Sequence, residues 1–329
     1  MIYRLANSNR LISYLIFPVL ALVFWIVSGT EDYHFNFFDG EDQMVLFRPV
    51  HFLVKNSPLA MGAISFLLLI LAGVILQRMN TEFGFFRTKN VLPAALFIYF
   101  VCGLSAFHTL HPIYFSLIFL LLALYRIFNV FDQRKPYSQV FESGFLLGIG
   151  SMFYLNSIFL LPSVVAGGMI LGRETGWREI VLTIAGFLTP WLFAFTYFFL
   201  YDELPQQITI LEANLMTTNP QFGNKPSILI YLGFIGLLIF VGSLNMIRNY
   251  EEKKISIRQY YLVFFLIFVS SLIILGLVPS ASEEILLVAL TPVSFLVSNL
   301  LLSFKRHVWG EIIIYMILGI AAYLKLTAI

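Results

Sequence analysis

Charge is scarce in this chain. Asp, Glu, Lys and Arg make up 12% of its 329 residues, against about 25% in soluble domains. With 59% hydrophobic residues and a mean hydropathy of +0.87, that deficit excludes an ordinary soluble protein and predicts a polytopic membrane protein. Cysteine is nearly missing. Cys102 is the only one and sits in an apolar run, which excludes a disulfide framework and a dithiol redox pair. No charge of one sign dominates, since 20 basic residues face 18 acidic ones, and nothing marks a nucleic-acid partner. A Gly-rich phosphate loop, a Ser/His/Asp set and a cysteine cluster are all absent. So are a sizeable soluble segment, a low-complexity tract and a lipidation motif. No Asp, Glu, Lys or Arg falls at the centre of a hydrophobic run, which argues against a proton-driven pump.

Long hydrophobic runs are what the chain has. Residues 59–76 contain no charge and one hydroxyl, Ser65. The runs lack the two-residue alternation of barrel strands, so the expected fold is all-α, a transmembrane helical bundle forming a single integral membrane domain over 1–329. The first run, 11–28, is too long for a signal-peptide core and is read as a retained span. Eleven spans fit, at 11–28, 59–77, 91–107, 113–129, 140–154, 157–172, 179–201, 227–247, 260–278, 285–303 and 310–327.

The stretch 141–172, FESGFLLGIGSMFYLNSIFLLPSVVAGGMILG, decides the topology. As one straight helix it would be about 48 Å long, well beyond the roughly 30 Å hydrocarbon core. Split near Asn156 it becomes two short spans or a re-entrant hairpin. With the split, and the N-terminus in the cytoplasm, 16 of the 20 basic residues fall inside and only Arg48, Lys55, Lys225 and Lys325 fall outside. Without it, the division is 10 against 10. The excess of Lys and Arg on cytoplasmic loops selects the split. Gly144, Gly148 and Gly150 allow close helix approach, while Asn156 and Pro162 suit a turn and a bend.

The polar residues then sort by face. The outer loop 30–58 is acidic in its first half, with Glu31, Asp32, Asp39, Glu41 and Asp42, and apolar in its second half, MVLFRPVHFLV, which is expected to lie in the membrane interface. A second outer loop, 202–227, carries Asp202, Glu203 and Glu212, and a short third one Glu283 and Glu284. His34, His51, His108 and His111 also fall outside. Acids and histidines on one face admit a divalent metal, although no spacing among them is diagnostic. On the inner face Arg126 and Glu142 bracket a loop and are placed to pair with each other or to cap helix ends.

Glu31 and Asp32 follow the first span directly, in GTEDYHFNFF. This resembles the acidic pair opening the first external loop of GT-C glycosyltransferases, multi-span enzymes that use polyprenyl-phosphate sugars. The resemblance implies an outer-leaflet site in which Asp32 or Glu31 is the base for the acceptor or holds a metal. Arg48 and Lys55 would then meet the lipid phosphate, and His34 would join the substrate contacts. On that reading amide variants of Asp39, Glu41 and Asp42 should be mild. A second resemblance covers residues 80–202, through RTKNVLPAALF, LLLALYRIFNVF, VFESGFLLGIGSMFY and GWREIVLTIAGFLTP. These strings are similar to an uncharacterised family of bacterial inner-membrane proteins, which implies an inner-membrane location and no transferable activity.

Three functions therefore compete. The first is GT-C-like transfer from a polyprenyl-linked donor. The second is a transporter or flippase of an envelope lipid or small solute, with its site at the broken pair around Asn156. The third is a non-catalytic scaffold of an envelope complex. Membrane lipid is an expected partner in all three. No cofactor beyond a divalent metal is expected, and no protein partner is identified.

Overall fold

The computed structural model describes residues 11–28, 40–174, 176–217, 226–304 and 306–328. Among these there are thirteen α-helices and no strand. They are α1 (Leu11–Ser28), α2 (Phe47–Val54), α3 (Pro58–Phe83), α4 (Leu92–Cys102), α5 (Ile113–Phe128), α6 (Tyr137–Phe153), α7 (Leu161–Leu171), α8 (Trp177–Leu200), α9 (Leu204–Met216), α10 (Pro226–Arg248), α11 (Ile255–Leu277), α12 (Leu286–Ser303) and α13 (His307–Ala328). Local chemistry sets several ends. The Ser57 hydroxyl accepts from Ala60 N at 3.3 Å and Pro58 opens α3, while Gly84 closes it at φ +62°. Glu179 reaches back to Gly176 N at 2.7 Å and caps α8.

Six of the described helices are long and apolar enough to cross a membrane: α3, α8, α10, α11, α12 with the turn before it, and α13. That is fewer than the eleven spans expected. The segments at 91–107, 113–129, 140–154 and 157–172 form shorter helices of 11, 16, 17 and 11 residues. The reason is length: at about 1.5 Å per residue, none of these four helices reaches across the roughly 30 Å hydrocarbon core by itself. Every residue of α4 is buried within the protein. A helix surrounded by protein can be as apolar as one facing lipid, so hydropathy alone does not separate long lipid-facing helices from short buried ones. Several of the long helices carry exposed apolar faces: Leu67 and Leu71 on α3, Leu192 and Phe193 on α8, Phe240 on α10.

The 141–172 stretch is broken. Helix α6 stops at Phe153, Tyr154 is extended, a 3-10 turn spans Leu155–Leu160 and α7 begins at Leu161. The chain reverses there. Asp132 N donates to Leu171 O at 3.1 Å and Arg173 N to Gln133 O at 3.0 Å, so α7 ends level with the start of α6. Small residues let α6 lie directly on α8. A Cβ on Gly148 would stand 2.5 Å from Phe187 O and 2.7 Å from Pro190 Cγ, and one on Gly144 or Gly186 would collide with backbone of the facing helix. Gly150 turns the other way, toward Ser116 and Phe119 of α5. Arg126 and Glu142 do pair, Nε to Oε2 at 2.8 Å.

The loop 202–227 is in part a helix. In α9, Gln207, Ile210 and Asn214 are the buried residues, spaced to share one face. That face rests on the 155–160 turn and on Gly40, which has φ +88° and whose Cβ would lie 3.0 Å from Ile210 O. Helix α2, the apolar half of loop 30–58, buries Phe47 and exposes Phe52 and Leu53.

Candidate functional site

Four turns from distant parts of the sequence meet at one end of the bundle. They are the approach to α2, the α4–α5 turn, the α6–α7 break and the α11–α12 turn. Each brings polar side chains that end up buried: Glu41, His111, Tyr154 with Asn156, and Ser280 with Ser282 and Glu284.

The bonds among them are directional. Tyr154 OH donates to Glu284 Oε1 at 2.9 Å and accepts from Asn156 Nδ2 at 3.2 Å. Asn156 Oδ1 in turn accepts from Ser280 Oγ at 3.0 Å. Ser282 N donates to the same Glu284 Oε1 at 2.7 Å. His111 Nδ1 accepts from Ile113 N at 3.2 Å, so the neutral ring carries its proton on Nε2. That nitrogen stands 3.7 Å from Glu41 Oε2, and the His111 ring meets Tyr154 edge-on at 5.9 Å. Glu284 lies within electrostatic reach of both His111 and Glu41. The site is thus two carboxylates, an imidazole and a phenol, all 5% exposed or less, with one amide and two hydroxyls beside them. Among the described residues, Glu284 Oε2 has no hydrogen-bond partner, and neither do Gln207 Oε1 and Asn214 Nδ2 on α9. Such atoms are satisfied by water or by a bound group, at a cost of about 1–3 kcal/mol each if left bare.

The sequence-derived candidates fare differently. Glu31, Asp32 and His34 lie outside the described residues. Asn156 is fully buried at the centre of the cluster. Arg48 is exposed on α2, and its guanidinium makes no hydrogen bond or ion pair among the described residues. The two histidines of the H-x-x-H turn part company: His108 packs on the Trp25 indole with ring centroids 4.2 Å apart, while His111 faces Glu41. His51 stacks on Phe47. Among the described residues no three His, Cys, Asp or Glu are grouped to hold a metal. Sequence reasoning placed Glu41, His111 and Glu284 on the outer face but did not join them. The only signal available was that each sits in a loop that the charge count assigns to that face.

Residues 44–329 match a family of unknown function, DUF6427. The chain belongs to DUF6427. The match is far wider than the 80–202 segment that carried the resemblance to an uncharacterised family, and it takes in His111, Tyr154, Asn156 and Glu284 while beginning just after Glu41. No curated protein and no solved structure matches this DUF6427 chain.

Proposed function

We propose that this DUF6427 protein is a membrane-embedded transferase working at the outer leaflet on a polyprenyl-phosphate-linked donor, as GT-C enzymes do. The observation that carries the reading is the approach of Glu41, in the first long external loop, to His111, with Glu284 beside them. A carboxylate with an adjacent imidazole is a general-base device. The Glu41 carboxylate, with the His111 Nε2–H facing it, would take the proton of an acceptor hydroxyl as the oxygen attacks the sugar's anomeric carbon. The bond from that carbon to the phosphate oxygen then breaks, and polyprenyl phosphate leaves. The amphipathic α2 suits a loop lying in the interface, where the lipid phosphate of the donor would be found. Glu31, Asp32 and His34 would complete the site, with Arg48 meeting the phosphate from its exposed position. The proposal retains eleven crossings, short ones included, with the N-terminus in the cytoplasm of a bacterial inner membrane.

The broken helix favours a second reading, a transporter or flippase. Discontinuous helices with irregular backbone at their junction are a common way to build carrier sites, and Asn156 sits at such a junction beside Tyr154 and Glu284. One experiment separates the two. Purified protein in vesicles is given a radiolabelled polyprenyl-phosphate hexose and envelope extract as acceptor. Release of polyprenyl phosphate is expected, falling about 10²–10⁴-fold in Glu41→Gln. If the donor survives, while a fluorescent phospholipid crosses the bilayer at a rate that Asn156→Ala changes, the carrier reading replaces the transferase.

A further inference from the structure

Far from this cluster, a groove of about 260 Å³ opens between α10 and α11 with α12 as its floor. Ile239 and Met246 line one wall, Phe264 and Phe268 the other, and Leu296 the base. The lining is almost wholly apolar. Its volume is too small for a helix and suits a segment of a single hydrocarbon chain.

The groove ends on cations. Met246 Sδ accepts from Asn299 Nδ2 at 3.8 Å, and Asn299 Oδ1 accepts from Lys253 Nζ at 2.7 Å. Lys253 Nζ also stands 5.4 Å over the ring of Tyr261, which lines the groove. Arg87, exposed on the loop after α3, lies within electrostatic reach of Lys253. That loop is held there by Phe85, whose ring packs on Tyr261 at 5.7 Å and on Phe295 at 4.6 Å. Neither Lys253 nor Arg87 has an ion-pair partner among the described residues. Burial first, and then the charge of Arg87, pull the Lys253 pKa below its ordinary value, with Glu252 opposing. Lys254 and Arg258 follow on the same stretch of chain. Two cations within electrostatic reach of each other at the end of an apolar groove complement an anion that carries a hydrocarbon tail.

We infer that the groove holds one acyl chain of an anionic phospholipid, with its phosphate between Lys253 and Arg87. The site lies on the basic face of the protein, which the charge count places inside, and it is independent of the cluster at the other end. A lipid bound there braces α10 against α11, which touch α12 more than each other.

The test uses the full chain, purified in neutral detergent and stripped of lipid. Phosphatidylglycerol should raise its thermal midpoint, and phosphatidylcholine or free glycerol phosphate should not. Arg87→Gln with Lys253→Gln should weaken the apparent phosphatidylglycerol affinity roughly thirtyfold, at about a factor of five per lost charge. Ser243→Trp fills the groove without changing charge and should abolish the response. Should that variant not fold, the charge pair decides alone. Equal responses to the two phospholipids, or an unchanged response in the charge pair, would overturn the inference.

Discussion

At the scale of single residues, burial changes what Glu41 must do. Read as one of five acids in an exposed loop, it looks dispensable, like Asp39 and Asp42. At 3% exposure and facing His111, it is a buried acid with a partner and not an exposed one. Taking a carboxylate out of water is costly unless something answers its charge, and the chain has built the answer from a turn seventy residues away. Glu41→Gln should therefore impair function and lower the thermal midpoint together, whereas Asp42→Asn, at a half-buried position, should do neither. Tyr154 offers a cleaner measurement. Tyr154→Phe keeps the ring in place but removes the donor to Glu284 Oε1 and the acceptor for Asn156 Nδ2. The expected loss is about 1–3 kcal/mol of stability, read by denaturation in detergent. None of this partnership was legible in the sequence. Glu41, His111, Tyr154 and Glu284 have no common spacing, and only the folded turns bring them together.

At the scale of elements, α6 and α8 show what small residues accomplish in a bundle. Two glycines four apart on α6 put no side chain between the helices, so backbone packs on backbone along Thr183, Phe187 and Pro190. Half of this was legible: Gly144 and Gly148 announce a close approach, and Asn156 with Pro162 announces the break. The partner was not, because Gly186 sits in a run whose neighbours only tertiary packing assigns. Gly148→Leu should destabilise by about 1–3 kcal/mol or more, since neither Phe187 O nor the Pro190 ring can swing aside. Gly233, on α10, is the control. Nothing stands within 4 Å of where its Cβ would be. Gly233→Ala should be neutral or gain about 0.5–1 kcal/mol from helix propensity. Equal losses at both sites, measured as denaturation midpoints in the same detergent, would mean that α6 and α8 are not so closely apposed.

At the scale of the whole molecule, the reversal at 154–160 and the meeting of the four turns at one end of the bundle support each other. Had 141–172 been one straight helix, the α11–α12 turn would end on the opposite side from His111, and Tyr154 could not reach Glu284. Their 2.9 Å bond agrees with the parity obtained by counting basic residues on alternate loops. The charge count was strong because the chain has few charges and keeps them in its loops. The number of full crossings was less legible, because the buried α4 and the short α7 are as apolar as the long lipid-facing helices. Accessibility labelling on a Cys102→Ala background checks the arrangement directly. His108, at 5% exposure, is a poor reporter, so the probe on the outer side belongs at Glu212, which is exposed on α9, and the inner one at Lys254, exposed in the α10–α11 loop. A membrane-impermeant maleimide should label Glu212→Cys in intact cells and should reach Lys254→Cys only after permeabilisation. Labelling at 254 without permeabilisation would place α10 and α11 the other way up. It would also move the groove at Lys253 and Arg87 to the outer leaflet.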